Sequence, residues 1–82
     1  AFPVTCLSVS PDGKHLAVGG EERVVKILDA ETGTLVRILE GHEDAIGGVA
    51  WSPDGKTLAS AGFDGDLRLW DPASGKTTRV LK

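Results

Sequence analysis

Apolar residues in this chain come in short clusters, four or five long at most, and each cluster is closed by Gly, Pro, Asp or a run of charges. Such clusters, rich in Val, Ile and Leu and bounded by turn residues, read as strands. They predict four strands in the first half, at 4–10, 15–19, 24–29 and 35–39. Four more are predicted in the second, at 46–52, 57–61, 67–71 and 77–81. "SPDG" links the first and second strand of each half, because Pro presets φ at the second turn position and Asp-Gly tolerates the tight end. "FDGD" predicts a two-residue Asp-Gly hairpin between the second and third strands, while "AETG" and "PASG" join the third to the fourth. Clean apolar/polar alternation is weak in "LAVGG", "VVKIL" and "LVRIL". A sheet covered on both faces reads this way, whereas a sheet with one wet face alternates.

The two halves are copies of one unit. Sliding the chain against itself by 42 residues aligns 1–40 with 43–82 without a gap, and 12 of the 40 pairs are identical. The identities are the "SPDGK" block, Leu16/Leu58, Ala17/Ala59, Gly20/Gly62, Asp29/Asp71, Gly33/Gly75, Arg37/Arg79 and Leu39/Leu81. A period of about 40–45 residues with four strand signals is the signature of a propeller blade. The expected fold is therefore all-β: two four-stranded antiparallel blades, one over residues 1–40 and one over 41–82.

Composition narrows the picture. Eleven Gly and four Pro stand against no Met and no Tyr, which favours strands and tight turns over helices. The net charge is −3 and the cations are scattered, so no nucleic-acid footprint is read. The apolar runs are too short for a membrane-spanning helix, and "AFPVTCLSV" lacks the basic region of a signal peptide. The single Cys6 excludes an internal disulfide and favours a reducing compartment. The expectation is a cytoplasmic chain with no membrane and no nucleic-acid partner.

The second unit carries Gly41-His42, Trp51-Ser52-Pro53-Asp54-Gly55, Leu58-Ala59-Ser60, Asp64 and Leu69-Trp70-Asp71. This series resembles the WD-repeat family of β-propellers over essentially the whole chain. The resemblance implies a buried hydrogen-bonded tetrad of His42, Ser60, Asp64 and Trp70. The meander makes such a meeting geometrically sensible, since the connection holding His42 and the turn holding Asp64 lie at the same end. The first unit departs at every tetrad position: Val18 for Ser60, Glu22 for Asp64, Leu28 for Trp70, and no Gly-His before Ala1. An apolar Val/Leu pair strands no polar partner, so this unit is expected to be held by packing alone.

Ser, His and Asp together also suggest a hydrolase triad. However, the GxSxG elbow is absent and Ser60 sits inside a strand, so no catalytic residue is assigned. Asp64-Gly65-Asp66 lacks the remainder of a 12-residue Ca²⁺ loop, and His15 has no second His near it. It is expected to be a solvated polar residue. No metal and no cofactor are expected. Cys6 is read as a small core residue.

Rings of this kind hold about 4–8 blades, so two blades leave two apolar sheet faces uncovered. The chain opens on a first strand and closes on a fourth, which leads to an expectation of head-to-tail association with further copies. Four chains would give eight blades, a homotetramer; three would give six, a homotrimer. The rival expectation is a piece of a longer scaffold of the same family. As the resemblance implies, the activity is protein–protein recognition without chemistry. Partner-binding positions are expected where the loops of the His42 end gather: Ala45, Gly47 and Phe63 in the second blade, with Pro3, Thr5 and Glu21 in the first.

Overall fold

The computed structural model describes residues 4–81. They form two four-stranded antiparallel sheets, each a simple meander. The first holds β1 (Val4–Val9), β2 (His15–Gly20), β3 (Val24–Asp29) and β4 (Leu35–Glu40). The second holds β5 (Ile46–Trp51), β6 (Leu58–Gly62), β7 (Leu67–Asp71) and β8 (Lys76–Leu81). The expected strands are all present, with ends displaced by a residue. β1 stops at Val9 and β5 at Trp51 because Ser10 and Ser52 belong to the turns; β6 starts at Leu58, and β8 gains Lys76.

Both "SPDGK" stretches fold alike. Gly13 N–H donates to the Ser10 carbonyl at 2.9 Å and Gly55 N–H to the Ser52 carbonyl at 2.9 Å. The Ser hydroxyl donates to the Asp carboxylate two residues on, and that carboxylate accepts the Lys14 or Lys56 N–H at 3.0 Å. The same hydroxyl accepts the N–H of His15 at 3.0 Å or of Thr57 at 3.1 Å. These bonds, the serine donation foremost, hold the Asp12 and Asp54 carboxyls below their ordinary pKa. Gly13 and Gly55 lie at φ of 74° and 72°, the left-handed region that ends each turn.

The β6–β7 turn differs from the expected two-residue hairpin. Four residues, Phe63 to Asp66, separate the strands; Gly62 N–H donates to the Asp66 carbonyl at 3.0 Å and Gly65 N–H to Gly62 at 3.2 Å. Gly65 at φ 87° therefore closes a longer loop, which frees Asp64 to face inward. The equivalent residue of the first blade is Arg23, held at φ 68°.

Register decides which residues share a face, because paired residues in a sheet project to the same side. In the first sheet Ser8, Ala17, Ile27 and Arg37 form one row, and Cys6, Gly19, Val25 and Leu39 the next. In the second sheet the corresponding inward rows are Trp51, Leu58, Trp70 and Val49, Ser60, Arg68. These faces dock, and the core lies between them: Ala17, Val25, Ile27 and Leu39 against Ile46, Leu58 and Trp70. Burying each of the larger aliphatic side chains contributes roughly 1.5–3 kcal/mol. Cys6 packs on this core and is partly buried. Among the described residues, three side-chain hydrogen bonds cross the seam: Trp51 Nε1–H to the Ser8 carbonyl at 3.0 Å, the Thr5 hydroxyl to the Ile46 carbonyl at 2.7 Å, and Arg37 Nη1–H to the Ser74 carbonyl at 3.3 Å.

Two expectations need correction. His15 is not a freely solvated residue; it is half-buried, with its ring centroid 6.4 Å from that of Trp51 across the seam. The first blade is not held by packing alone either. Lys26 Nζ pairs with Glu22 at 2.8 Å, and Val18 and Leu28 are only half-buried because they lie on the undocked side.

Arg23 is an exposed non-glycine in the left-handed region, a conformation costing roughly 1–2 kcal/mol for an L side chain. Glycine relieves that strain but loses more entropy on folding. Arg23→Gly is expected to raise stability by about 0.5–1 kcal/mol in urea unfolding; a decrease would show that the Arg23 side chain holds the turn.

Candidate functional site

The end of the molecule that gathers the β4–β5 connection and the β6–β7 turn holds most of the singled-out residues. Gly41 and His42 leave β4, and the Phe63 N–H donates to the Ala45 carbonyl at 2.9 Å, tying the two segments together. His42 thereby enters the seam beneath Asp64 and is 6% exposed.

The four tetrad residues meet in one chain of hydrogen bonds. Trp70 Nε1–H donates to Ser60 Oγ at 2.8 Å, and Ser60 Oγ lies 2.6 Å from His42 Nε2. His42 Nδ1 lies 3.2 Å from Asp64 Oδ2. One assignment satisfies every atom: the Ser60 hydroxyl donates to Nε2, and the Nδ1–H tautomer donates to Asp64. Asp64 also accepts the N–H groups of Asp66 and Glu43, each at 2.9 Å. Those two backbone donors, Asp66 first, lower its carboxyl pKa to about 2, with the His42 bond adding to the effect. Gly62 leaves the space this network needs, since a Cβ there would stand 2.5 Å from Asp64 Oδ1 and 2.7 Å from His42 Nδ1.

Asp64, His42 and Ser60 thus occur in the order of a hydrolytic triad. Ser60 is 1% exposed, however, and its oxygen is shared between Trp70 and His42. A hydroxyl so buried and so shared is not presented to solvent as an attacking group would be. The chemical capacity of the network is to join four segments of chain through buried polar groups.

Around this end Phe63 is the prominent surface residue, 70% exposed. Its ring edge lies over Gly47, where a Cβ would stand 3.5 Å from Cε1 and Cζ. Gly47 and Glu21 are exposed and Ala45 is half-buried. Thr5 is exposed, yet its hydroxyl is committed to the Ile46 carbonyl. Pro3 lies outside the described residues. Sequence reasoning did not find the cleft at the opposite end, about 290 Å³, lined by Asp12, His15, Arg37, Trp51 and Pro72 among others. Its walls come from both repeats, and its signal in the sequence was that His15 and Trp51 each flank an SPDGK turn, at the same end of their units.

Ser60→Ala leaves Trp70 Nε1–H and His42 Nε2 buried without partners, and is expected to cost about 1–3 kcal/mol in equilibrium unfolding. Trp70→Phe should cost less in the Ser60→Ala background than in the native chain; strict additivity would show that the bond does not couple them. Asp64 gives a pH signature. Its folded pKa of about 2 lies below an ordinary unfolded value of about 3.9. Its contribution is therefore complete above about pH 4 and is lost as pH falls towards about 2. Asp64→Asn should flatten the acid limb of a stability–pH curve over that window, and an unaltered limb would contradict the assignment.

Comparison with known proteins places these features in a family. Residues 33–71 match the WD domain, G-beta repeat, and residues 2–49 match the anaphase-promoting complex subunit 4 WD40 domain. The general transcriptional corepressor TUP1 of Saccharomyces cerevisiae is 54% identical over 37 residues, 45% of this chain. The human U3 small nucleolar RNA-interacting protein 2 is 35% identical over 48 residues, 58% of this chain. This chain spans only 5% and 10% of those two relatives. The solved structure of U3-55K superposes with a TM-score of 0.91 at 29% identity, over 95% of this chain and 24% of that one. With its doubled four-stranded units and the matches that span both, the chain belongs to the WD40 repeat family of β-propellers.

Proposed function

We propose that this chain is a non-catalytic interaction scaffold that presents a protein-binding surface at the His42 end. The observation that carries the reading is Phe63, a large aromatic 70% exposed at a turn tip that the tetrad and the Ala45 bond hold in place. An exposed aromatic on a rigid base loses little entropy on binding, which suits an anchor residue. Glu21 and the backbone around Gly47 would form the rim. One matched family domain takes its name from a subunit of a multiprotein complex, which supports a protein as ligand. A relative is named for interaction with an RNA, but the net charge of −3 and the scattered cations of this chain favour protein over nucleic acid.

A second reading, self-association into a closed propeller, is favoured by the two outward sheet faces. Leu7 and Val9 are 61% and 51% exposed on one, and Leu67 and Leu81 lie open on the other. Apolar surface of that extent on a small chain calls for cover. Further copies would supply it in a ring of eight blades from four chains, or six from three. Further blades of a longer chain would supply the same cover.

Phe63→Ser is expected to abolish capture of protein partners that the native chain retains, with the far-ultraviolet spectrum unchanged. Retention of the same partners by the variant would remove Phe63 as anchor. Native mass spectrometry decides the second reading: a closed multiple of the chain mass supports it, and a single-chain mass with a folded spectrum contradicts it.

A further inference from the structure

The seam between the two sheets is a template for a second seam. Shifting the inward face of the first sheet by the repeat length of 42 residues gives the outward face of the second. The reverse also holds: Leu58 and Ser60, inward in the second sheet, become Leu16 and Val18, outward in the first. The free faces are thus the two halves of the internal contact, one on each side of the molecule.

Three particular contacts carry this to the atomic level. Within the chain, the Arg37 side chain crosses the seam onto the β7–β8 turn. Its Nη1–H donates to the Ser74 carbonyl at 3.3 Å, and a Cβ on Gly75 would stand 2.9 Å from its Cδ. The repeat equivalents are Arg79 and Gly33. Arg79 is exposed, and Gly33 has nothing within 4 Å of where its Cβ would stand. A Cβ on Gly55 would stand 3.6 Å from the Pro11 ring, whereas one on the equivalent Gly13 would have nothing within 4 Å. Finally, Ile46 presses on Gly19 so closely that a Cβ there would stand 2.6 Å from its Cγ2. The equivalent pair is Val4 and Ala61: the methyl added on one side is matched by a methyl removed on the other. The exchange preserves the fit of two surfaces that do not touch within one chain.

We infer that the second sheet of one chain docks on the first sheet of a second copy of this chain. Arg79 of the first lies over Gly33 of the second and donates to its Thr32 carbonyl. Ala61 packs on Val4, and Pro53 sits against Gly13. This rests on the self-association reading and specifies its junction as heterologous, so it propagates around a ring and does not stop at a two-fold dimer. The junction is weaker than the internal seam. Val9 stands where Trp51 does, so the indole bond to the Ser8 carbonyl has no counterpart, and Val18 and Leu28 replace Ser60 and Trp70. Assembly is therefore concentration-dependent while each chain remains folded.

Complementary blocking tests it. Leu7→Glu closes the first-sheet face and Ala61→Glu the second-sheet face; both positions are exposed within one chain, so circular dichroism should show each variant folded. The native chain is expected to give a closed multiple of its mass, each variant alone a single chain, and an equimolar mixture a two-chain species and nothing larger. Arg79→Ala, placed in the Leu7→Glu chain, should weaken that pair by about tenfold. Arg37→Ala in the same chain should leave pairing unaltered. A dimer formed by either blocked variant alone would overturn the heterologous junction while leaving self-association standing. A native chain that stays single at millimolar concentration would remove the self-association reading itself. An unaltered affinity in Arg79→Ala would overturn the placement of Arg79 on Thr32.

Discussion

Ile46 lies on the backbone of Gly19, and the rest of the molecule is arranged around that contact. No side chain fits at position 19 because the Ile46 methyl group and Cys6 Sγ already occupy the space. The close approach brings β5 onto β1 and β2, where the Thr5 hydroxyl and the Trp51 indole reach carbonyls of the opposite segment. It also sets which face of each sheet is inward, since sheet pleating alternates every residue and a shift of one would expose the whole core. Ala17, Val25, Ile27 and Leu39 are buried as a consequence, and Leu7 and Val9 are not.

The tetrad works at one end of this seam and depends on it. His42 is buried because the chain turns inward between Glu40 and Ile46, and Gly62 leaves room for the imidazole beside Asp64. The network joins the β4–β5 connection, β6, the β6–β7 turn and β7, so it fixes the loops that carry Phe63. The first blade has Val18, Glu22 and Leu28 where the second has Ser60, Asp64 and Trp70, and Val18 and Leu28 lie on the outward face, where a polar network would stand in water. Val18 and Leu28 fit that position as partly covered apolar residues, with Lys26 and Glu22 paired beside them.

Much of this was legible in the residues. The 42-residue period, the turn chemistry of "SPDGK" and the strand clusters place all eight strands, because each signal is local. The meeting of His42, Ser60, Asp64 and Trp70 followed from the family pattern and from the two connections sharing one end. What the sequence concealed depends on contacts between the units. The apparent freedom of His15 disappears against Trp51, which a reading of either repeat alone does not reveal. The Asp-Gly dipeptide suggested a two-residue hairpin, but Asp64 is drawn inward by the Glu43 N–H, 21 residues earlier, and the loop lengthens around it. The left-handed backbone of Arg23 was hidden because nothing in the side chain advertises it; only its alignment with Gly65 does.

If the Gly19–Ile46 contact organises both sheets, disturbing it must be felt in both. Native-state hydrogen exchange of Gly19→Ala, compared with the unaltered chain, measures this directly at the amides of β3 and β6. The expected result is that protection at Val25 and Ile27 and at Ser60 falls by the same factor, because the sheets open as one cooperative unit. A loss of protection confined to the first sheet, with β6 unaltered, would show that the blades are independent and that the seam does not govern the structure.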